Sequence, residues 1–103
     1  MKLKNSVSII TGGSSGLGEA TVRKFHSLGS KVCIFDLDDE RGKQLERELG
    51  ENCAYFSVDV CHEANIKEAL SAVIKQFNKI NINVNCAGIA LAEKTLGKDG
   101  PHD

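Results

Sequence analysis

The sequence contains little proline, few aromatic residues and no long hydrophobic run. Its single proline is Pro101, and no proline-rich linker, low-complexity tract or internal repeat is visible. No stretch approaches the roughly 20 apolar residues of a membrane-spanning helix. The apolar run that follows Lys2 and Lys4 is only about four residues long, which is too short for the core of a secretory signal. We therefore expect an intracellular protein.

An excess of charge of one sign is also missing. The 13 basic and 14 acidic residues give a formal net charge of -1, and no basic block is present. The sequence therefore gives no electrostatic reason to expect binding to nucleic acid or to an anionic membrane. The length of 103 residues allows one domain, near the lower end of the size at which a single hydrophobic core is sufficient.

The four cysteines do not form a pattern typical of a metal site or a disulfide framework. Cys33, Cys53, Cys61 and Cys86 contain no C-x-x-C spacing, and most of them lie inside apolar, strand-like runs. Cys61 and His62 are adjacent, which does not suit a zinc site. We expect small buried thiols in a reducing compartment and no metal site.

What the sequence does contain is a regular alternation of short apolar runs and segments with helical spacing. Strands are predicted at 7–10, 31–35, 53–58 and 80–85. The segments between them carry apolar residues at helical spacing, namely Leu17, Thr21, Phe25 and Leu28, then Leu45 and Leu49, then Ile66, Leu70, Val73 and Phe77. This alternation predicts an α/β fold with a Rossmann-like doubly wound parallel sheet, incomplete, of about four strands and three helices.

A glycine-rich turn, T-G-G-S-S-G-L-G at 11–18, joins the first strand to the first helix. Such a turn offers unpaired backbone N–H groups and the positive end of a helix dipole to a diphosphate. Gly12 suits the tight turn, while Gly16 and Gly18 suit the close approach of ligand and of strand to helix. The alternative is a glycine-rich turn that binds no ligand. A P-loop is excluded because Glu19 stands where a lysine is needed.

Asp36 ends the second strand, about 20 residues after the glycine turn. In a doubly wound sheet this strand end lies beside the first strand. A carboxylate there can accept hydrogen bonds from both hydroxyls of an adenosine ribose and repel a 2′-phosphate. No arginine stands next to it in the sequence, so we expect NAD rather than NADP. The alternative is an aspartate that caps the next helix, a role for which Asp38 and Asp39 compete.

These markers occur in one order along the chain. The turn T-G-x-x-x-G-x-G, Asp36, Asp59-Val60 after the third strand and Asn85-Cys86-Ala87-Gly88 after the fourth together resemble the short-chain dehydrogenase/reductase family, over nearly the whole chain. The resemblance implies an NAD-dependent oxidoreductase. The members most similar to it act on 3-hydroxyacyl-CoA and hydroxysteroids in mitochondria, which implies a mitochondrial location, with the cytoplasm as the alternative.

The resemblance also implies cofactor-binding roles for several positions besides Gly12 and Gly16. Asn85 would support the sheet rather than touch the cofactor. The expected cofactor contacts are Ser15 and Leu17 at the diphosphate and nicotinamide side, Asp36 at the adenosine ribose, Asp59 and Val60 beside the adenine, and Cys86 and Ala87 along the ribose.

The catalytic residues of the family are missing from this sequence. The family uses a serine, together with a tyrosine and a lysine in Y-x-x-x-K, on elements after the fourth strand. Tyr55 is the only tyrosine, and Asp59 stands where the lysine would be required. We therefore assign no catalytic residue, and we do not transfer the family homotetramer, because it uses later helices. A serine or threonine cap is also replaced by Cys61 before the third helix, at an expected cost of about 1 kcal/mol.

Two functions of different classes fit these observations. In the first, residues 1–90 are the NAD-binding half of a short-chain dehydrogenase, as a truncated isoform or a fragment, and residues 91–103 are a cut-off loop or tail. The complete enzyme would oxidise a secondary alcohol, either a 3-hydroxyacyl-CoA or a hydroxysteroid. In the second, the chain is a non-catalytic interaction module whose fourth strand offers an unpaired edge to another chain. A partly disordered, degradation-prone product is a third possibility.

Overall fold

A computed structural model describes residues 3–12, 14 and 16–86, which form a four-stranded parallel sheet covered by helices on both faces. The elements follow in the order β1 (Val7–Thr11), α1 (Gly16–Ser27), β2 (Lys31–Asp36), α2 (Asp39–Leu49), β3 (Cys53–Ser57), α3 (Glu63–Phe77) and β4 (Ile82–Asn85). The predicted doubly wound α/β fold is confirmed. The predicted tail at 91–103 lies outside the described residues.

In the strand order β3-β2-β1-β4, the direction in which successive strands are added to the sheet reverses at β1. From β1 the chain adds β2 and then β3 at one edge of the sheet, and the connecting helices α1 and α2 pack on one face. α3 then carries the chain back across the other face to β4. Right-handed crossovers require this change of face. The carboxyl ends of β1 and β4 therefore flank a topological switch point, where open α/β sheets bind their ligands.

The core consists of two layers because successive side chains of a strand point to opposite faces. In β2, Val32 and Ile34 pack on the side of α1 and α2, whereas Cys33 and Phe35 pack on the side of α3. All four are at most 1% exposed. Such a strand, buried on both faces, is typical of a central position in a parallel sheet.

The buried face of α1 differs from the predicted stripe. The two ends of that stripe are largely exposed, Leu17 by 60% and Leu28 by 47%. Gly18 and Val22 are buried instead, and Phe25 packs against the same core layer. These three residues keep the helical spacing of four and three, so the face is rotated by one position. Glycine at 18 has no side chain and therefore allows α1 to lie close to the sheet.

The cysteines divide into buried and exposed thiols. Cys33 and Cys53 are buried and Cys86 is half-buried, but Cys61 is exposed in the loop between β3 and α3. The expectation of a buried thiol is therefore correct for the first two and wrong for Cys61. The weak cap expected at Cys61 lies one residue later, because His62 is the N-cap of α3 and makes no capping hydrogen bond with its side chain. Of the helices in the described ranges, none has the length and apolar character needed to cross a membrane.

Candidate functional site

The glycine turn bends sharply at Gly12 and is attached to the end of β2. Gly12 has φ 71°, in the left-handed region that favours glycine. Its N–H donates to the Phe35 carbonyl at 2.8 Å. The N–H of Ser14 donates to Asp36 Oδ2 at 3.0 Å. The neighbouring Ser15, a predicted cofactor residue, lies outside the described residues. The turn and the end of β2 therefore form one connected edge.

The start of α1 leaves space and an unsatisfied polar group beside this turn. A Cβ atom placed on Gly16, the first residue of α1, would meet no atom of another described element within 4 Å. The hydroxyl of Ser14 is buried, and in the described part of the chain its Oγ has no hydrogen-bond partner. The first N–H groups of a helix also lack partners within the helix. An anionic ligand such as a phosphate group would fit this combination.

The carboxylate of Asp36 lies between the glycine turn and the loop that follows β2. Oδ2 accepts from Ser14, and Oδ1 accepts from the N–H of Leu37 at 2.7 Å and of Asp38 at 3.4 Å. The capping alternative is wrong for Asp36, because the N-cap of α2 is Asp38, whose Oδ1 accepts from the N–H of Arg41 at 3.1 Å. The carboxylate of Asp36 therefore joins the glycine turn to the loop that follows β2.

Asp59 and Val60 follow β3 at the same edge. The N–H of Asp59 donates to Asn65 Oδ1 at 2.7 Å, and Asp59 Oδ1 accepts from the N–H of Cys61 at 2.9 Å. Val60 is half-buried and contributes to a cavity of about 160 Å³ on the α3 side of the sheet. The residues that line this cavity are Ile9, Thr11, Phe35, Val60, Ile66, Leu70, Asn83 and Asn85.

The end of β4 is joined to β1 and lies near α1. Thr11 Oγ1 donates to Asn85 Oδ1 at 2.7 Å, which is the sheet-supporting role that the resemblance implies. Cys86 is half-buried, and its Sγ lies 4.0 Å from Thr21 Oγ1 on α1. Ala87, the next predicted cofactor residue, lies outside the described residues. Within the described ranges, no group of histidine, cysteine and acidic side chains could hold a metal ion.

An ion-pair network between α1 and α2 lies next to this edge and was not predicted from the sequence. Glu19 pairs with Arg41 and also with Arg23 at 2.9 Å, and Arg23 pairs with Glu48 at 2.6 Å. Hydrogen bonds from Arg41 and then from Arg23 lower the pKa of Glu19. The i,i+4 pair of Glu19 and Arg23 has a sequence signal. The pair of Glu19 and Arg41 has none, because it depends on how the two helices pack.

Comparisons with known proteins show what this chain is similar to. The family model described as short chain dehydrogenase matches residues 6–99. The 3-hydroxyacyl-CoA dehydrogenase type-2 of Drosophila melanogaster is 40% identical over 94 residues, which cover 91% of this chain and 37% of that protein. The zerumbone synthase of Zingiber zerumbet is 40% identical over 91 residues, which cover 86% of this chain and 34% of that protein.

A solved structure of an oxidoreductase is also similar to this chain. The 3-ketoacyl-(acyl-carrier-protein) reductase from Brucella melitensis, complexed with NADH, superimposes with a TM-score of 0.76 at 32% sequence identity. The match covers 79% of this chain and 33% of that one. The chain therefore spans about a third of the length of the relatives that it matches.

Proposed function

Since the chain belongs to the short-chain dehydrogenase family, we propose that it binds NAD as the amino-terminal, cofactor-binding part of an oxidoreductase. The complete enzyme would oxidise a secondary alcohol, either a 3-hydroxyacyl-CoA or a hydroxysteroid, in mitochondria. Bound NAD would supply the hydride acceptor. The residues described here would bind and orient it, and none of them is assigned to proton transfer. The name of the Drosophila relative supports the acyl-CoA substrate, although zerumbone synthase is equally similar.

The observation that carries the proposal is the position of the Asp36 carboxylate against the glycine turn. Ser14 donates to one carboxylate oxygen and Leu37 to the other. The N–H groups of Ser14, Leu37 and Asp38 occupy three of the roughly four acceptor sites of a carboxylate, so one site remains, on Oδ2, for a ribose hydroxyl. The same negative charge would repel a 2′-phosphate. Arg41, five residues further along the chain, is paired with Glu19, which supports a preference for NAD over NADP.

The diphosphate would lie against the amino end of α1. There the first turn of the helix offers N–H groups, Gly16 offers open space and Ser14 offers a buried hydroxyl that has no other partner in the described part of the chain. These features fit an anionic group that approaches the backbone closely. They support nicotinamide dinucleotides as a class and do not depend on the choice between NAD and NADP.

Calorimetric titration of the chain with NAD and with NADP tests the proposal. Asp36→Ala should weaken NAD binding by about 1–3 kcal/mol and reduce the preference for NAD over NADP. Gly16→Ala should leave the fold intact, because among the described residues its Cβ meets no tertiary contact within 4 Å, yet weaken binding about tenfold or more by occupying the space of the diphosphate. Glu68→Ala, which removes an exposed charge from α3, is the control and should bind as the parent does.

Two results would contradict the proposal. The first is the absence of heat on adding NAD to a folded chain, and the second is unchanged NAD affinity in both Asp36→Ala and Gly16→Ala. The alternative function, an interaction module, is supported by β4, which among the described strands pairs only with β1. Sedimentation distinguishes the two, because a monomer that binds NAD favours the cofactor-binding function and a self-associating chain that ignores NAD favours the module.

A further inference from the structure

The ring of Tyr55 lies directly against the backbone of α2. A Cβ atom placed on Gly42 would come within 2.1 Å of Cδ1 and 2.2 Å of Cε1 of this ring. Only glycine allows so close an approach, and Gly42 is buried in the first half of α2. The N–H of Tyr55 also donates to Glu46 Oε2, one turn further along the helix, at 2.9 Å. Tyr55 therefore fastens β3 to α2 through both its ring and its backbone.

The hydroxyl of Tyr55 reaches the end of β2. It lies 2.9 Å from the Asp36 carbonyl oxygen and 2.5 Å from Asp39 Oδ1. Its one proton is shared between these two acceptors. Hydrogen bonds from Tyr55 and then from Ser57 lower the pKa of Asp39, whereas burial and the Asp39 carboxylate raise the pKa of Tyr55. The phenol therefore remains a protonated donor, the opposite of what an acid/base tyrosine with a lowered pKa requires.

We propose that Tyr55 is a positioning residue for the adenosine-ribose site. It fixes the main chain of Asp36 against α2, and the carboxylate of the same residue holds the glycine turn through Ser14. The ring, the hydroxyl, Asp36 and Ser14 form one continuous series of contacts from a helix to the edge that binds the cofactor. The inference rests on the proposed function, because it concerns the orientation of the carboxylate that would bind the ribose.

Tyr55→Phe tests the role of the hydroxyl without removing the ring. The fold should persist, because the Asp36 carbonyl still accepts from the N–H of Val58 at 2.9 Å and Asp39 keeps its hydrogen bond with Ser57. In calorimetric titrations of the full chain we expect NAD affinity to fall about three- to tenfold. Ser27→Ala is the control. It removes a hydroxyl that also donates to a main-chain carbonyl, that of Lys24, at the far end of α1.

A double-mutant cycle with Asp36→Ala separates positioning from direct contact with the cofactor. If Tyr55 acts through Asp36, Tyr55→Phe should cause no further loss of NAD affinity once the carboxylate is gone. In the single variant Tyr55→Phe, amide hydrogen exchange at Ser14 should become faster even without ligand. Exchange at Asn81, whose N–H donates to the Val7 carbonyl, should not change.

The outcomes distinguish the inference from the function on which it rests. Unchanged NAD affinity in Tyr55→Phe, or effects of the two substitutions that add in full, would overturn the positioning role. A loss of affinity without faster exchange at Ser14 would also overturn it, because Tyr55 would then act on the cofactor rather than on the turn. If the parent chain does not bind NAD, the proposed function itself fails, whatever the exchange data show.

Discussion

The two corners at which β2 leads into α2 (residues 36–39) and β3 leads into α3 (residues 58–63) each carry an aspartate at the same edge of the sheet, yet they are held in different ways. Asp36 accepts from the N–H of Ser14, 22 residues earlier. Asp59 accepts from the N–H of Cys61, two residues later. The side chain of Asp36 therefore makes a tertiary contact in addition to local ones, from Leu37 and Asp38, whereas in the described part of the chain the side chain of Asp59 makes a local contact alone. Two aspartates in similar strand-end positions therefore have different structural roles.

The helices that start at these corners show the same contrast. Asp38 caps α2 with its side chain, whereas His62 makes no such bond at the start of α3. The first corner is also held by Tyr55 from the neighbouring strand. Exposure does not separate the two corners, because Leu37 and Asp38 are exposed just as Cys61 and His62 are. The corner proposed to bind the ribose is thus the one held by more side-chain hydrogen bonds.

The largest effect is expected from Gly42→Ala, which places a methyl carbon 2.1 Å from Cδ1 and 2.2 Å from Cε1 of the Tyr55 ring. Because the clash is with a half-buried aromatic ring and not with a flexible side chain, the free energy of unfolding should fall by about 3 kcal/mol or more, measured by urea denaturation. The same substitution should cost much less in a Tyr55→Ala background, where the ring is absent. Gly16→Ala is the control, because in the described part of the chain its Cβ has no tertiary neighbour within 4 Å. Equal losses from the two glycine substitutions would contradict the contact.

Alkaline pH should destabilise the protein through one buried thiol on each side of the sheet. Burial raises the pKa of Cys33 to about 12 and that of Cys53 to about 12. An unfolded thiol loses its proton near pH 9, while the native one keeps it, so rising pH favours unfolding between about pH 9 and pH 12. Each thiol should lower the free energy of unfolding by up to about 1.4 kcal/mol per pH unit.

The contributions of the two thiols can be separated by substitution. Cys33 packs on the α3 side and Cys53 on the α2 side. Cys33→Ala and Cys53→Ala should each reduce the slope of unfolding free energy against pH, measured by urea denaturation at a series of pH values. Cys61→Ala, at an exposed position, should leave the slope unchanged. A slope that none of the three substitutions alters would show that the buried thiols do not govern alkaline unfolding.

A smaller difference is expected between Asp36→Ala and Asp59→Ala. The first removes the acceptor for the N–H groups of Ser14 and Leu37 and should cost about 2 kcal/mol of unfolding free energy. The second removes one acceptor, for the N–H of Cys61 in an exposed loop, and should cost about 0.5–1 kcal/mol. Equilibrium urea denaturation of the two variants measures both values. A larger loss of unfolding free energy for Asp59→Ala than for Asp36→Ala would contradict the view that the first corner depends more on its aspartate.

The smallest effects concern the helix caps and should have opposite signs. Asp38→Ala removes the cap of α2 and should cost about 1 kcal/mol of unfolding free energy, whereas His62→Ser supplies a cap to α3 and should gain about 0.5–1 kcal/mol. Thermal unfolding of each variant, compared with the parent chain, shows whether the substitution lowers or raises the stability. If His62→Ser does not stabilise, the backbone at 62 does not allow a side-chain cap.

Much of this fold is predictable from the sequence because its signals are local. The four strands and three helices follow from short apolar runs and from spacings of three and four residues, and the prediction of a doubly wound sheet is confirmed. The rotation of the buried face of α1 was missed. Leu17 is more hydrophobic than Gly18, yet Leu17 is 60% exposed and Gly18 is buried, and a residue without a side chain lets a helix lie close to a sheet.

The candidate site is predictable in position but not in its connections. Asp36 was expected at the edge beside the glycine turn, and it lies there, but the hydrogen bond that joins it to Ser14 could not be inferred. The cofactor-binding roles themselves remain predictions. The sequence identifies Tyr55 only as a tyrosine without the lysine that the family's catalytic motif requires. The contact that gives it a role, with Gly42, joins residues on different elements and has no periodic signal in the sequence.

The sequence by itself determined the order of strands and helices, the glycine that can adopt a left-handed conformation at the first turn, and the carboxylate at the end of β2, because these depend on hydrogen bonding and sterics within a few residues. Only the tertiary structure decided which aspartate holds the glycine turn, which acid neutralises Arg41 and which ring fills the space above Gly42. The physical reason is that the parallel register of β1, β2 and β3, and the packing of α1 and α2 on one face, bring together residues that are far apart in the chain.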